Sequence, residues 1–505
     1  MEMITFAHMS KCSVTRLALF ALAIVWAYCT TSCTKIEFVE DSSAALEFSH
    51  DTLSFDTVFT TVGSATRSFR VHNRNDKFIR ISKISVVQDR TFFRMNVDGL
   101  VGNILTDIEI PPNDSIWVFF EVTVDPDEPF SMSPFVINEQ VTFETNGNQQ
   151  SVVLEAWGQN ANYIPNRSAV GEQRLITCDL NEWVWDDPRP YVIYGVLVID
   201  SCTLTMPPGT QVYVHGGFGR LPDGTRYSDG ILFFLRNGKL NIAGTAEDPV
   251  VIQGDRLEST FAETSGQWGR IHLDDLSRGH EIEHAVIKNS ILGIYVDSLA
   301  DLNIRNSIIQ NTSSSGLIGY RANIEAENCL FHSSGGNNVT ITLGGSYNFK
   351  YCTLANYGTP TEALRASNFT CLDDPLECNQ AVAARLSLNF VNSIITGSSR
   401  DEISLIDAVP DDPDFFSYRF DHCIVRVDEL LDANAWPDFF DNCTDCLEDM
   451  RDDPLFVDAN GGEFHLDTLS LAEQMATPLQ SIRQDLEARD RDLANPDIGC
   501  YEYVN

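Results

Sequence analysis

The sequence predicts an all-β protein in which an antiparallel β-sandwich precedes a parallel β-helix. The first observation is a small residue that recurs in one apolar frame, at Ala285, Ser307, Cys329, Cys352, Ser393 and Cys423. The second is a group of alternating apolar and polar segments nearer the N-terminus, which share no such period. A recurring frame indicates a recurring structural unit, and strict alternation indicates strands with one buried face.

These recurring small residues form what we call the small-residue column. The spacing of its members indicates which type of solenoid the chain forms. Its successive members lie 22, 22, 23, 41 and 30 residues apart. A period near 22 residues is too short for paired-helix repeats, and leucine-rich repeats need leucines where these frames carry Ile, Val, Phe and Cys. Each turn is therefore predicted to be a rung of short β-strands. The two wide steps predict either rungs that carry loops, at residues 359–379 and 399–417, or a skipped rung.

Asn306, Asn328 and Asn392 each precede a member of the column. Asn tolerates the left-handed backbone of a sharp corner, and its amide can bond to the Asn of the next rung, about 4.8 Å away. These residues are therefore predicted to form the bend between two strands, with the small residue that follows pointing into the solenoid.

Segments at both ends of the periodic block extend this interpretation. LTMPPGTQV (204–212), GKLNIAGTAEDPVVI (238–252) and WGRIHL (268–273) resemble the first rungs of right-handed parallel β-helix proteins of the pectate-lyase-like group. DPLFVDANGGEFHL (453–466) and PDIGCYEY (496–503) resemble the closing segment of bacterial β-helix envelope proteins. The resemblance implies the fold, but proteins with many functions share it.

The alternating segments near the N-terminus are separated by Gly, Pro, Asn and Asp, as in an antiparallel sandwich. PPNDSIWVFFEVTVDP (111–126) and TNGNQQSVVLEAWG (145–158) resemble immunoglobulin-like domains of the ASH/MSP type. The expected organisation is a signal peptide at 1–32, an anchor and tether at 33–37, an immunoglobulin-like sandwich at 38–160, a linker at 161–176, a right-handed β-helix at 177–460 and a closing segment at 461–505.

The first residues predict export. Lys11 and Arg16 precede an apolar run at 17–27 that is short for a membrane span, and small residues follow it up to Cys33. Small residues before a Cys resemble the lipobox of bacterial lipoproteins, which implies that Cys33 is lipidated and that the protein is an outer-membrane lipoprotein, periplasmic or surface-exposed. Thr30 stands where the lipobox usually has Leu, so cleavage that leaves Cys33 unmodified stays open.

The charge of the chain limits its partners. The 505 residues include 72 acidic and 34 basic ones, for a net charge of −38. Phosphate binding needs clustered Lys and Arg, so nucleic acid is excluded as a partner and polyanionic substrates are disfavoured. The expected partners are the membrane, through the N-terminal lipid, and a glycan or a surface protein.

The cysteines predict two disulfide bonds in an oxidising compartment. Cys371 and Cys378 bracket a loop, and Cys178 and Cys202 flank the first rung. No metal site is predicted, because the Cys443 to Cys446 pair lacks a second half-site. Ca²⁺ is the one ion that the acidic loops would suit, but they lack the spacing of a known calcium loop, so no cofactor is predicted.

Two function classes follow from the rungs and loops. Asp274, His284, Asp297 and Arg305 are the catalytic candidates, because a carboxylate and a His on adjacent rungs can do acid–base chemistry if they share a groove. His284, however, occupies the corner position that Asn holds elsewhere. The favoured interpretation is a non-enzymatic, lipid-anchored envelope protein that presents a β-helix face to a glycan or a protein. The alternative is a polysaccharide lyase or glycoside hydrolase, which the convergence of three or more carboxylate, His or Arg groups within hydrogen-bond reach in a groove would favour.

Candidate ligand-binding residues lie in or beside the second loop. Aromatic rings beside carboxylates suit a neutral sugar, because the rings contact its apolar side and the oxygens bind its hydroxyls. The set comprises Asp411, Asp412, Asp414, Phe415, Phe416 and Tyr418. The competing interpretation is that Phe415 and Phe416 pack the loop against the rung wall.

Overall fold

The computed structural model of the chain describes residues 36–42, 44–59, 66–86, 92–122, 135–159, 161–164, 173–178, 181–220, 226–257, 261–373, 378–432, 435–450 and 454–504. The chain divides into two compact units, Met1–Gln159 and Asn160–Asn505. Strands dominate both, and the helices among the described residues are short 3-10 turns at Glu429–Leu431, Phe439–Asn442 and Ala459–Gly461. Within the described ranges, no helix is both long and apolar enough to cross a membrane.

The N-terminal unit is a sandwich of two five-stranded sheets. One sheet contains Glu47–Phe48, Arg67–His72, Ser115–Val122, Phe93–Val97 and Leu100–Val101, and the other contains Thr52–Phe59, Asn148–Gln159, Phe135–Thr145, Ile79–Val86 and Ile104–Ile110. Alternate residues such as Phe69, Phe120 and Phe143 fill the core. The pairings are antiparallel except between Thr52–Phe59 and Asn148–Gln159. These sheets fit the expected immunoglobulin-like sandwich.

The C-terminal unit is a parallel β-helix, so the predicted fold class is confirmed. Its strands form three parallel stacks, in which each strand pairs with the equivalent strand of the next rung. The first stack contains Asn162–Ile164, Tyr191–Ile193, Gln211–Val214, Val250–Gly254, Ala285–Lys288, Ile308–Thr312, Leu330–Ser334, Thr353–Asn356, Ile394–Gly397, Ile424–Val425 and Leu447–Glu448.

The second and third stacks lie side by side and share two long strands, Leu317–Glu327 and Val339–Lys350. The second stack also contains Gln173–Ile176, Val196–Ile199, Ile231–Phe234, Arg270–Leu273, Ile294–Val296, Leu364–Ser367 and Ile403–Ile406. The third also contains Glu182–Val184, Thr203–Met206, Lys239–Ala243, His280–Glu283, Asp301–Arg305, Leu386–Val391, Phe416–Asp421 and Cys443–Thr444. Three hairpins complete the unit: Phe218–Arg220 with Arg226–Ser228, Phe369–Cys371 with Ala381–Ala383, and Phe456–Asp458 with Glu463–Leu466.

The small-residue column points inward, as predicted. Its members are at most 1% exposed. The preceding residue forms the corner between the third and first stacks, and its φ lies between 46° and 52° in every described rung of the periodic block. Asn328 Nδ2 donates to Asn306 Oδ1 at 2.9 Å, but Tyr351 at the next corner interrupts the Asn ladder.

The boundaries of the solenoid differ from the prediction. Part of the expected linker already forms strands, because Asn162–Ile164 and Gln173–Ile176 pair with the following rung. The predicted loops likewise contain rung strands, since Leu364 and Ile403 are buried in the solenoid core. The segments between those strands and the next rung are a hairpin, Phe369–Cys371 with Ala381–Ala383, and a run of turns at 407–415.

The closing segment covers the side of the solenoid. Ile498, Cys500 and Tyr501 belong to an apolar cluster on the outer face of the first stack. Arg491, buried beneath the segment, donates to Asn328 Oδ1 at 3.0 Å and forms an ion pair with Glu502 at 3.2 Å. The first stack is therefore sealed over these rungs, so the outer faces of the second and third stacks are the surfaces that can hold a site there.

Candidate functional site

Two columns of outward side chains run along the second stack. Phe233, His272 and Tyr295 are register partners on three successive rungs. Asp274 and Asp297 directly follow the strands that carry His272 and Tyr295, and the Asp297 N–H donates to the carbonyl of Leu273 at 2.9 Å. The two carboxylates therefore lie on adjacent rungs, beside the imidazole.

His272, Asp274 and Asp297 form a compact cluster, which we call the His272 cluster. One ligand atom from each residue lies within 4.8 Å of those of the other two. The imidazole stacks between the rings of Phe233, at 4.2 Å, and Tyr295, at 4.8 Å. Only 8% of His272 is exposed. The rungs on either side therefore fix the orientation of the ring.

Arg270 determines which imidazole nitrogen carries the proton. Its Nε donates to His272 Nδ1 at 3.2 Å. Because a guanidinium can only donate, Nδ1 accepts and the neutral ring has its proton on Nε2. Nε2 lies 3.7 Å from Asp297 Oδ2, too far for a hydrogen bond, and has no hydrogen-bond partner among the described residues. A hydroxyl group or a water molecule suits this position, because its oxygen can accept from Nε2–H while its hydrogen goes to a carboxylate.

The same tautomer of His272 disfavours metal binding. Among the described residues, the His272 cluster is the set whose donor atoms are close enough to share one ion. A metal ion needs the lone pair of Nε2, however, and the hydrogen bond from Arg270 leaves a proton there. The geometry thus favours a hydroxyl ligand over a cation.

The two carboxylates differ in their electrostatics. Burial is the main cause of the raised pKa of Asp274, and the carboxylates of Asp275 and Asp297 add to it. A backbone hydrogen bond from Asp275 and the His272 imidazole oppose this rise in the pKa. The imidazole of His272 lowers the pKa of Asp297 against a smaller, opposing effect of burial. A pair of neighbouring carboxyl groups whose pKa values are pushed apart is the arrangement that assigns one as acid and the other as base.

The structure brings together only two of the four catalytic candidates. His284 lies at a corner of the solenoid, with its Nε2 at 3.3 Å from Asn306 Nδ2. Arg305 lies in the third stack and pairs with Glu281 and Glu283 at 3.6 and 3.8 Å. Sequence reasoning missed His272. The spacing of the sequence could have identified it. Asp274 and Asp297 are one rung apart in sequence, and His272 lies two residues before Asp274, which places both side chains on the same side of the sheet.

A groove of about 780 Å³ lies at the C-terminal end of the second stack. We call it the terminal groove. The last strand of the stack contributes Ser404 and Ile406, and Trp436 lies across it with Nε1 donating to the Leu405 carbonyl at 2.9 Å. The carboxylate-bearing residues of its lining are Glu362, Asp401, Asp407 and Glu429. This volume is within the range of small-molecule sites, about 300–1,000 Å³.

Only some of the predicted ligand-binding residues line this groove. Phe416 and Tyr418 line it but are only 6% exposed, since their rings pack against Trp436 at 5.3 and 5.5 Å. From the run of turns at 407–415, the groove is lined by Asp407, Pro410 and Pro413. Asp411, Asp412, Asp414 and Phe415 are not among its lining residues. Phe416 thus packs against the rung wall, as the competing interpretation predicts. The ring of Phe415 instead lies 5.9 Å from the guanidinium carbon of Arg385.

The predicted disulfide pairs are both bonded in the structure, Cys178 to Cys202 and Cys371 to Cys378. The second staples the hairpin that leaves the rungs. Cys33, the predicted lipidation site, lies outside the described residues.

Comparisons with known proteins give remote similarities. No protein-family model matches the chain, and no curated protein does. The catalytic unit of a thermostable GH87 α-1,3-glucanase from Streptomyces thermodiastaticus strain HF3-3 is 12% identical, with 71% of this chain and 72% of that chain covered and a TM-score of 0.26.

Two further solved structures match over shorter regions. A protein of unknown function from Porphyromonas gingivalis W83 is 13% identical over 25% of this chain and 50% of that chain, with a TM-score of 0.18. A family 123 glycoside hydrolase from Clostridium perfringens is 6% identical over 29% and 31%, with a TM-score of 0.19. This chain thus spans half or less of those two proteins, and the similarities assign it no activity.

Proposed function

We propose that the protein is a glycoside hydrolase of the cell envelope, with the His272 cluster as its active site. The observation that carries this proposal is the convergence of His272, Asp274 and Asp297 on adjacent rungs, with the pKa values of the two carboxyl groups shifted in opposite directions. Three such groups on adjacent rungs support an enzyme over a passive binder, although His272 Nε2 and Asp297 Oδ2, at 3.7 Å, lie beyond hydrogen-bond reach. The acidic chain makes a neutral glycan the expected substrate.

The pKa shifts assign the roles. Asp274, with its raised pKa, is the acid that protonates the departing glycosidic oxygen. Asp297 stays ionised and attacks the anomeric carbon as that bond breaks. Water then hydrolyses the glycosyl ester, and Asp274 takes the proton of that water. One oxygen of each carboxylate lies within 4.8 Å of an oxygen of the other. Both groups can therefore reach one glycosidic linkage, and the proposed route is the retaining one, in which the second carboxylate is the nucleophile.

A substitution pair tests the proposal. Release of reducing ends from a panel of neutral polysaccharides is measured for the wild type, Asp297→Asn and Asp275→Asn. Asp275 is the matched control, because it neighbours Asp274 but is exposed and pairs with Arg236 at 3.2 Å. Asp297→Asn should lower hydrolysis by at least about 10²-fold, whereas Asp275→Asn should leave it unchanged. Equal rates for the two variants would refute the assignment.

We infer that Cys33 carries the lipid that holds this enzyme at the outer membrane. The small residues before Cys33 support this, and two acyl chains suffice for stable anchoring. Metabolic labelling with a palmitate analogue should mark the wild type and not Cys33→Ala. Labelling of both proteins to the same extent would contradict the inference.

A further inference from the structure

We propose that the terminal groove binds a distant part of the same glycan that the His272 cluster cleaves. The substrate is then a polymer that extends along the outer face of the second stack. The proposal rests on the proposed function, but it assigns a separate binding site and a substrate class. Three observations support it: the register of the stack, the lining of the groove and the absence of basic groups from that lining.

The register places both sites on one column of side chains. Starting from His272, the successive register partners are Tyr295, Ile318, Thr340, Arg365 and Ser404. Ser404 lines the terminal groove. Five rungs separate His272 from Ser404, which at about 4.8 Å a rung is a distance of about 24 Å. One extended chain can therefore reach both sites along the face of a single sheet.

The groove has the chemistry of a site for neutral sugars. Trp436 gives it a half-buried aromatic wall, supported from behind by Phe416 and Tyr418. Asp401 is held in place by three backbone N–H groups, since its Oδ1 accepts from Asp428 and Leu430 at 2.6 and 3.1 Å and its Oδ2 accepts from Glu429 at 3.2 Å. A carboxylate fixed in this way keeps free lone pairs for hydroxyl groups and loses little entropy when a ligand binds.

The lining also selects against acidic polymers. It contains carboxylates and no Lys or Arg among the residues that the structure describes. A uronic acid placed there would bring its charge next to Glu362, Asp401 and Asp407. Outside the lining, Arg400 already pairs with Asp428 and Glu429 at 2.7 and 2.5 Å. Arg365, also outside the lining, lies one rung away from Ser404. The carboxylates of the lining therefore make an added negative charge unfavourable in a partly desolvated groove. The substrate class is therefore a neutral polysaccharide rather than an acidic one.

The test fills the groove without touching the cluster. Ser404→Arg places a long side chain on the floor of the groove, and Ser346→Arg is the matched control on the outer face of the third stack; both serines are partly exposed strand residues. Steady-state kinetics use the neutral polysaccharide that the wild type cleaves fastest and its shortest cleaved oligosaccharide. Ser404→Arg should raise KM for the polymer by about 10²-fold with kcat unchanged and with no effect on the oligosaccharide. Ser346→Arg should behave as the wild type.

A binding experiment separates this inference from the proposed function. Affinity electrophoresis in gels that contain neutral glucan, mannan or xylan measures retardation of the wild type and both Arg variants, whether or not hydrolysis occurs. Retardation that Ser404→Arg loses and Ser346→Arg keeps supports the groove even if no glycan is cleaved, and in that case only the proposed hydrolase fails. Hydrolysis with the same polymer KM in both variants overturns the groove alone. A protein that none of the three glycans retards and that cleaves none of them overturns both.

Discussion

Replacing Asp274 by Asn is expected to lower kcat by about 10²–10⁴-fold on glycans with a sugar leaving group. Asn keeps the size of the side chain but has no acidic proton for the departing oxygen. An aryl glycoside whose phenol is a good leaving group needs no such proton, so the first step on that substrate should be nearly unaffected. Because Asp274 is also the base of the second step, the comparison uses kcat/KM, which reports the first step. An equal loss of kcat/KM on both substrates would make Asp274 a structural residue and contradict its assignment as the acid.

The pH dependence gives an independent check on this residue. Burial raises the pKa of Asp274, so its protonated form persists above the usual range of a carboxyl group and disappears as the pH rises through that raised pKa. The alkaline limb of the kcat/KM profile should therefore belong to Asp274, and it should vanish in Asp274→Asn. The acidic limb should remain, since Asp297 must stay ionised. Asp275→Asn should preserve both limbs, with the alkaline limb at a lower pH, because the Asp275 carboxylate contributes to the raised pKa of Asp274.

Replacing Cys329 by Asp is expected to destabilise the β-helix by about 3–5 kcal/mol or to open its rungs locally. Cys329 is completely buried, and its thiol lies 3.3 Å from the Glu327 carbonyl and 3.5 Å from the Ile304 carbonyl. A carboxylate there would face carbonyl oxygens, which can only accept. The charge would therefore be left without a donor inside an apolar core.

Cys329→Ser is the control for this prediction. Ser already occupies the same column at positions 307 and 393, where its hydroxyl donates to the carbonyls of Arg305 and Val391 at 2.7 and 2.9 Å. Ser at position 329 can make the equivalent bond to Glu327, so its cost should stay below about 1.5 kcal/mol. Urea unfolding followed by circular dichroism measures both variants. An unchanged midpoint for Cys329→Asp would mean that the column is not enclosed.

The sequence determined the repeating part of this molecule. A solenoid contacts mainly its own neighbours along one axis, so a residue and its equivalent one period later are adjacent whatever the rest of the chain does. The inward column and the left-handed corners followed from this rule. So did the adjacency of Asp274 and Asp297, which are 23 residues apart. Local chemistry was sufficient there because the relevant partners were set by the period.

Only the tertiary structure decided the features that depart from the period. Phe233 stacks on His272 across an interval of 39 residues, because an insertion separates their rungs. Trp436 returns over the last strand of the second stack, and the closing segment lies along the outer face of the first. These contacts depend on where irregular segments pack, and no spacing in the sequence encodes that. The protonated nitrogen of His272 and the terminal groove both follow from such packing, which is why the candidate site was only half predicted.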